Sequence, residues 1–187
     1  MNKQALLIVL LFFSLSFWRC GSESDYDVPA QDSIFRKFLE NNQIEYAGGL
    51  ARIHGLYKVT YPYQGSRTIT AKQGDTVFMS YSGYTFAQTP STFGQGSIFT
   101  TNIKADAEAA GWSISSPVID LTPASFVQGS GQVIRGIDLG VEGSAEGDTL
   151  RLYLNADLAY GDKVIGFIPA GTPVVFKIYI EEVKKRQ

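Results

Sequence analysis

The chain has 187 residues with 44% apolar content, enough to bury one good core with a small appendage. Its formal charge is −2 and it carries no long basic run, so a nucleic-acid partner has no electrostatic support. One Cys and one His leave no material for zinc cages, disulfide frameworks or Cys/His catalysis.

At the start, Lys3 precedes an apolar run, Ala5–Phe17. Spanning a bilayer takes ~20 apolar residues, so this run suits a secretory signal better than a membrane span. The lone Cys20 closes the segment, and the arrangement resembles a bacterial lipoprotein signal, in which the Cys is lipidated and becomes the mature N-terminus. Arg19 stands where a small residue is usual, and Phe17 where Leu is commoner; an uncleaved anchor or an ordinary signal cut nearby are the alternatives. The resemblance implies a lipid anchor at Cys20 in a bacterial cell envelope, at the outer membrane on its periplasmic or surface face. Residues 21–31 are polar and acidic, carry Pro29, and read as a flexible tether.

Asp32 or Ser33 is expected to cap a helix running to about Asn42, with Ile34, Phe35, Phe38 and Leu39 on one stripe. Residues 32–55 then form a helix and connector, and His54, lacking a second His or a nearby Cys, is expected to be structural or exposed. Alternation at Tyr57, Val59, Tyr61 and Tyr63 predicts a strand, and Lys72-Gln73-Gly74-Asp75 a turn that opens another strand over 76–86. A polar Gly/Pro-bearing connection covers 87–97, a helical turn or two is expected over Ala105–Ala110, and Pro117–Leu121 reads as a strand. In the last third, Leu150, Leu152 and Leu154 share one face, opposite Thr149, Arg151, Tyr153 and Asn155. Val174, Phe176, Ile178 and Ile180 likewise alternate with Val175, Lys177, Tyr179 and Glu181. Period two predicts half-buried antiparallel strands, each with one wet face, and the loop between them is where a site would sit.

The order Val-Ile-Arg-Gly (133–136), Gly-Asp-x-x-Arg-Leu (147–152), Leu-Ala-Tyr-Gly (158–161), Gly-Phe-Ile-Pro (166–169) and Thr-Pro-Val-Val-Phe (172–176) resembles an FKBP-type peptidyl-prolyl cis–trans isomerase. With the strand Val77–Gly83 upstream, the resemblance covers roughly residues 56–183. It implies an α+β fold: an antiparallel sheet of five or six strands wrapped around a short helix near 132–138, preceded here by an extra N-terminal helix. The FKBP-like domain would then be 56–187, with an insertion around 87–117 relative to compact members of the family.

Carried over residue by residue, the resemblance implies that Tyr81, Phe99, Tyr160 and Phe176 are the catalytic aromatic residues. Val133, Ile134, Ile137, Phe167, Ile168 and Val118 would be the substrate-binding ones, with the Tyr160 hydroxyl donating to a ligand carbonyl. Three positions depart from the family: Thr100 replaces an Asp beside the pocket Phe, Ile137 replaces the Trp of the pocket floor, and Val118 stands where an aromatic is usual. Taken singly, Tyr81, Phe99 and Phe176 read as plain core aromatics of a β domain; taken with the loop motif, they read as pocket residues. The implied partners are proline-containing polypeptides bound by a monomer that assists folding of exported proteins, with no cofactor and no metal. The alternative is a catalytically weak or inactive protein of the same fold that holds a peptide or a partner protein.

Overall fold

A computed structural model describes residues 26–42, 50–65, 69–116 and 119–187. The expected anchor site Cys20 and the expected pocket residue Val118 lie outside the described residues. Among the described residues, no helix is long and apolar enough to cross a membrane.

The N-terminal helix α1 runs over Val28–Asn41, so it begins four residues before Asp32, inside the stretch read as tether. The cap is Asp27, whose carboxylate accepts from Ala30 N at 3.0 Å, and Pro29 sits in the first turn, where its missing N–H costs nothing. Asn42 ends the helix, its side-chain amide donating to Phe38 O at 2.7 Å. Phe35, Phe38 and Leu39 are buried, while Ile34, expected on the same stripe, lies at its edge, 38% exposed.

Seven strands form one sheet: β1 (Leu50–Ile53), β2 (Leu56–Tyr61), β3 (Thr76–Phe86), β4 (Gln95–Thr101), β5 (Ala124–Val127), β6 (Thr149–Leu154) and β7 (Val174–Lys184). Their order is β1-β2-β6-β7-β3-β4, every pairing is antiparallel, and β5 pairs with the first half of β3 where β4 pairs with the second. The extra strand beyond the expected six is β1, joined to β2 by the two-residue turn His54-Gly55, with φ of 46° and 90°. Positive φ at both central residues matches the twist of a hairpin. His54 is thus an exposed turn residue. Residues 119–121 are not a strand, and the segment that pairs with β3 lies further on, at β5. Two short helices complete the fold, α2 (Lys104–Ala109) and α3 (Arg135–Val141), close to their expected places.

The sheet has a core on each face. Leu150, Leu152 and Leu154 of β6 and Val174, Phe176, Ile178 and Ile180 of β7 pack against Ile137 and Val141 of α3. On the other side, Tyr153 and Val175 are fully buried with Tyr57 and Val59 beneath Phe35, Phe38 and Leu39 of α1. The face expected to be wet is therefore covered at Tyr153 and Val175. Each buried aromatic or Leu of α1 contributes roughly 1.5–3 kcal/mol, and Phe35 adds an edge-on contact with Phe86 at 4.8 Å. The same helix and the residue before its cap reach the loop between β6 and β7: Tyr26 OH donates to Asp157 at 2.8 Å, Gln31 donates to Gly171 O at 2.8 Å, and Gln31 Oε1 accepts from Ala156 N at 2.8 Å.

Candidate functional site

Four of the expected residues form a single cluster of rings where β3, β4, β7 and the β6–β7 loop meet. Phe99 of β4 stands edge-on to Phe176 of β7 at 5.8 Å and to Tyr160 at 5.9 Å, and Tyr81 of β3 lies 6.3 Å from Phe176. Offset and edge-to-face pairs in this range are favourable beyond the area they bury. Phe176 is buried, while Tyr81, Phe99 and Tyr160 are half-buried and pack on the core beneath them. Ile137 belongs to that core and is 5% exposed.

A close approach at Gly83 makes this possible. A β-carbon there would lie 2.8 Å from Phe176 and from Thr100 Cγ2, and 2.9 Å from Phe99. The two rings occupy the space that any side chain on Gly83 would need.

Beside the cluster opens a cavity of about 700 Å3, lined by Tyr81, Phe99, Thr100 and Thr101 on the sheet side and by Trp112, Ser113, Ser116, Ile119 and Asp120 opposite. Trp112, Ile119 and Asp120 were not expected from the sequence. The signal for Trp112 was a large aromatic in a polar segment without apolar periodicity, where no core requires it. Its position is fixed locally. Gly111, at φ 74°, takes the left-handed place after α2; Gly111 N donates to Glu108 O and Trp112 N to Ala107 O, both at 3.0 Å, the paired bonds of a Schellman cap. The helix is tied down in turn through Asp106, whose carboxylate accepts from Ser82 Oγ at 2.6 Å.

Asn102 was also missed. It is buried, its Oδ1 accepts from Tyr81 N at 2.7 Å, and its amide donates to Met79 O at 3.1 Å and Thr122 O at 2.9 Å. One side chain thus holds Tyr81, the end of β4 and the segment bearing Asp120. Asp120 itself accepts from Thr122 N at 2.9 Å and Thr122 Oγ1 at 2.7 Å. These bonds, the hydroxyl first, hold its carboxyl below the usual carboxylate range.

The Tyr160 phenol is pushed up to about 12, chiefly by burial and secondarily by the nearby Tyr81. It therefore remains a neutral O–H donor, and no partner among the described residues takes that proton. Val133 and Ile134 are half-buried against the core just before α3, with the Ile134 carbonyl accepting from Ile137 and Asp138 N–H. The two loop apolars part company. Ile165 and Ile168 exchange backbone bonds of 3.0 and 2.8 Å across a tight turn that buries Ile168 and leaves Phe167 62% exposed, outside the ring cluster. Thr100 lines the cavity where the family pattern has an Asp.

Comparisons with known proteins match this geometry to a family. Residues 67–181, more than half the chain, match the model of the FKBP-type peptidyl-prolyl cis-trans isomerases. The chain is 33% identical over 114 residues to FK506-binding protein 4 of Neurospora crassa, covering 61% of this chain and 19% of that protein. It is 32% identical over 117 residues to peptidyl-prolyl cis-trans isomerase FPR2 of Saccharomyces cerevisiae, covering 62% and 70%. The chain thus spans about a fifth of the length of the first relative and about two thirds of the second. Among solved structures, it is similar in fold to FkpA from Escherichia coli, with a TM-score of 0.53 at 21% identity over 84% of this chain and 61% of that one. A peptidyl-prolyl cis-trans isomerase from Pseudomonas syringae pv. tomato gives a TM-score of 0.54 at 22% identity, covering 87% and 99%. With the ring cluster, the order of its elements and the extent of the match in agreement, the chain belongs to the FKBP-type peptidyl-prolyl cis–trans isomerase family.

Proposed function

We propose that this chain is a peptidyl-prolyl cis–trans isomerase that seats proline of an extended polypeptide against Tyr81 and Phe99. The observation that carries this is the open cavity: among the described residues, the inserted segment contributes Trp112, Ser113 and Ser116 to its wall. The chemistry needs no nucleophile, metal or proton shuttle. Rotation about an amide bond costs about 18–20 kcal/mol because twisting the C–N bond removes its resonance. A wall of rings that excludes water favours the twisted amide, whose carbonyl is less polar, over the planar one. The neutral Tyr160 hydroxyl, beside Phe99, supplies a donor to orient a substrate carbonyl.

The test is isomerisation of a short X-Pro peptide by the full-length chain in mild detergent, beside Tyr160→Phe and Phe99→Ala. Acceleration that drops about tenfold in each variant, equivalent to about 1.4 kcal/mol of transition-state stabilisation, supports the isomerase. No acceleration from folded protein favours the peptide-holding alternative, to which Thr100 and Ile137 already lean by removing a carboxylate and an aromatic floor.

We propose further that Cys20 carries a lipid and holds the domain in a bacterial envelope, where its clients are exported proteins. The apolar run followed by the lone Cys supports this. Incorporation of a labelled fatty acid into the chain, lost in Cys20→Ser, would establish it; equal labelling of both would refute it.

A further inference from the structure

We propose that Trp112 and Asp120 form a specificity subsite for a basic residue, Lys or Arg, adjacent to the substrate proline. This rests on the isomerase reading of the same cavity and names the substrate class within it. Asp120 is the single charged side chain among the described residues lining the cavity, and no Lys or Arg among them pairs with it. The same cavity is lined by Trp112 and by the short polar Ser113 and Ser116. An aromatic ring and a lone carboxylate lining one cavity suit a cation on a long apolar stem: the stem packs on apolar surface, the charge gains from the anion and from the ring quadrupole, and an acidic side chain is repelled.

Both groups are held before substrate arrives. Thr122 fixes the Asp120 carboxylate by two bonds to Oδ1, and the cap at Gly111 fixes the backbone of Trp112. Asn102 connects the two halves of the cavity, bonding Tyr81 N on the side of the rings and Thr122 O on the side of Asp120. A proline seated at Tyr81 and a cation seated at the exposed Asp120 are therefore read by one hydrogen-bonded frame.

The experiment measures kcat/KM of the full-length chain for three peptides alike except for the residue flanking proline: Lys, Leu or Glu. The flanking residue is placed before proline in one set and after it in another. The expected result is a Lys-over-Glu preference of about three- to tenfold at low salt in one set, eroded at high salt as a screened charge contact must be. Asp120→Asn, which keeps the Oδ1 acceptor for Thr122, should bring that ratio below twofold, and Trp112→Leu should lower the Lys rate more than the Glu rate. The ratio is the readout, with thermal melting as the check that each variant folds. Equal rates for Lys and Glu, or a preference that survives Asp120→Asn, would overturn the subsite while leaving the isomerase intact. If no peptide is accelerated, the isomerase reading fails and calorimetric binding of the same peptides decides the subsite. Lys-selective binding abolished by Asp120→Asn supports it; unselective binding or none refutes it.

Discussion

Substituting Gly83 by Ala tests whether the ring cluster is as closely packed as the distances state. The backbone at Gly83 is ordinary extended strand, paired with Phe176 on one side and Thr100 on the other, so Ala brings no conformational strain. What it brings is a methyl 2.8–2.9 Å from Phe176, Thr100 Cγ2 and Phe99, where ordinary contact begins at 3.4 Å. Each neighbour must retreat by about half an ångström, and such overpacking costs about 1–3 kcal/mol. At roughly 2–4 °C per kcal/mol for a chain of this size, Gly83→Ala should lower Tm by about 2–12 °C. The displaced rings, Phe99 and Phe176, belong to the ring cluster, so X-Pro isomerisation should fall with the melting temperature. Adding Thr100→Ser, which deletes the crowding Cγ2, should recover part of the stability and leave the two ring clashes in place. A Gly83→Ala protein that melts within a degree of the parent and keeps its rate would show that the ring cluster is not close-packed at Gly83.

Three further outcomes are expected. Asn102→Ala leaves Tyr81 N, Met79 O and Thr122 O without their partner at a buried position, costing about 2–4 kcal/mol by chemical denaturation; a loss below about 0.5 kcal/mol would show that water or a shifted strand replaces it. Asp75, held below the usual carboxylate range first by Lys185 and then by Arg186 N–H, contributes stability that is complete above its unfolded pKa and is lost as pH falls through the lower folded value. Asp75→Asn should therefore flatten the acid limb of a melting-versus-pH curve, and an unchanged limb would refute the assignment. Burial raises Tyr160 from 10.0 to about 12, so between these values the unfolded phenol loses its proton while the folded one keeps it, and stability falls as pH rises. The ultraviolet titration of the parent minus Tyr160→Phe should show its step near 12; a step near 10 would mean that the hydroxyl is solvated.

Local rules were enough for much of this protein. Alternation at Leu150, Leu152 and Leu154, and at Val174 to Ile180, was legible because a strand puts every second residue on one face whatever lies beyond it. The five short pieces between Val133 and Phe176 identified the family, and with it the cluster of Tyr81, Phe99, Tyr160 and Phe176, because their order and spacing follow the chain alone. Periodicity says which residues share a face and nothing about what covers that face. That α1 buries Tyr153 and Val175 was decided by packing across more than a hundred residues of sequence, as was its grip on the β6–β7 loop through Gln31. Pro117–Leu121 has the composition of a strand, yet the edge of β3 is taken by Ala124–Val127, a choice of register that local preference cannot make. Asn102, Trp112 and Asp120 come together only because β4 and α2 fold the inserted segment back against β3. A polar side chain reveals its role through the partners it finds, and those partners are set by the tertiary structure.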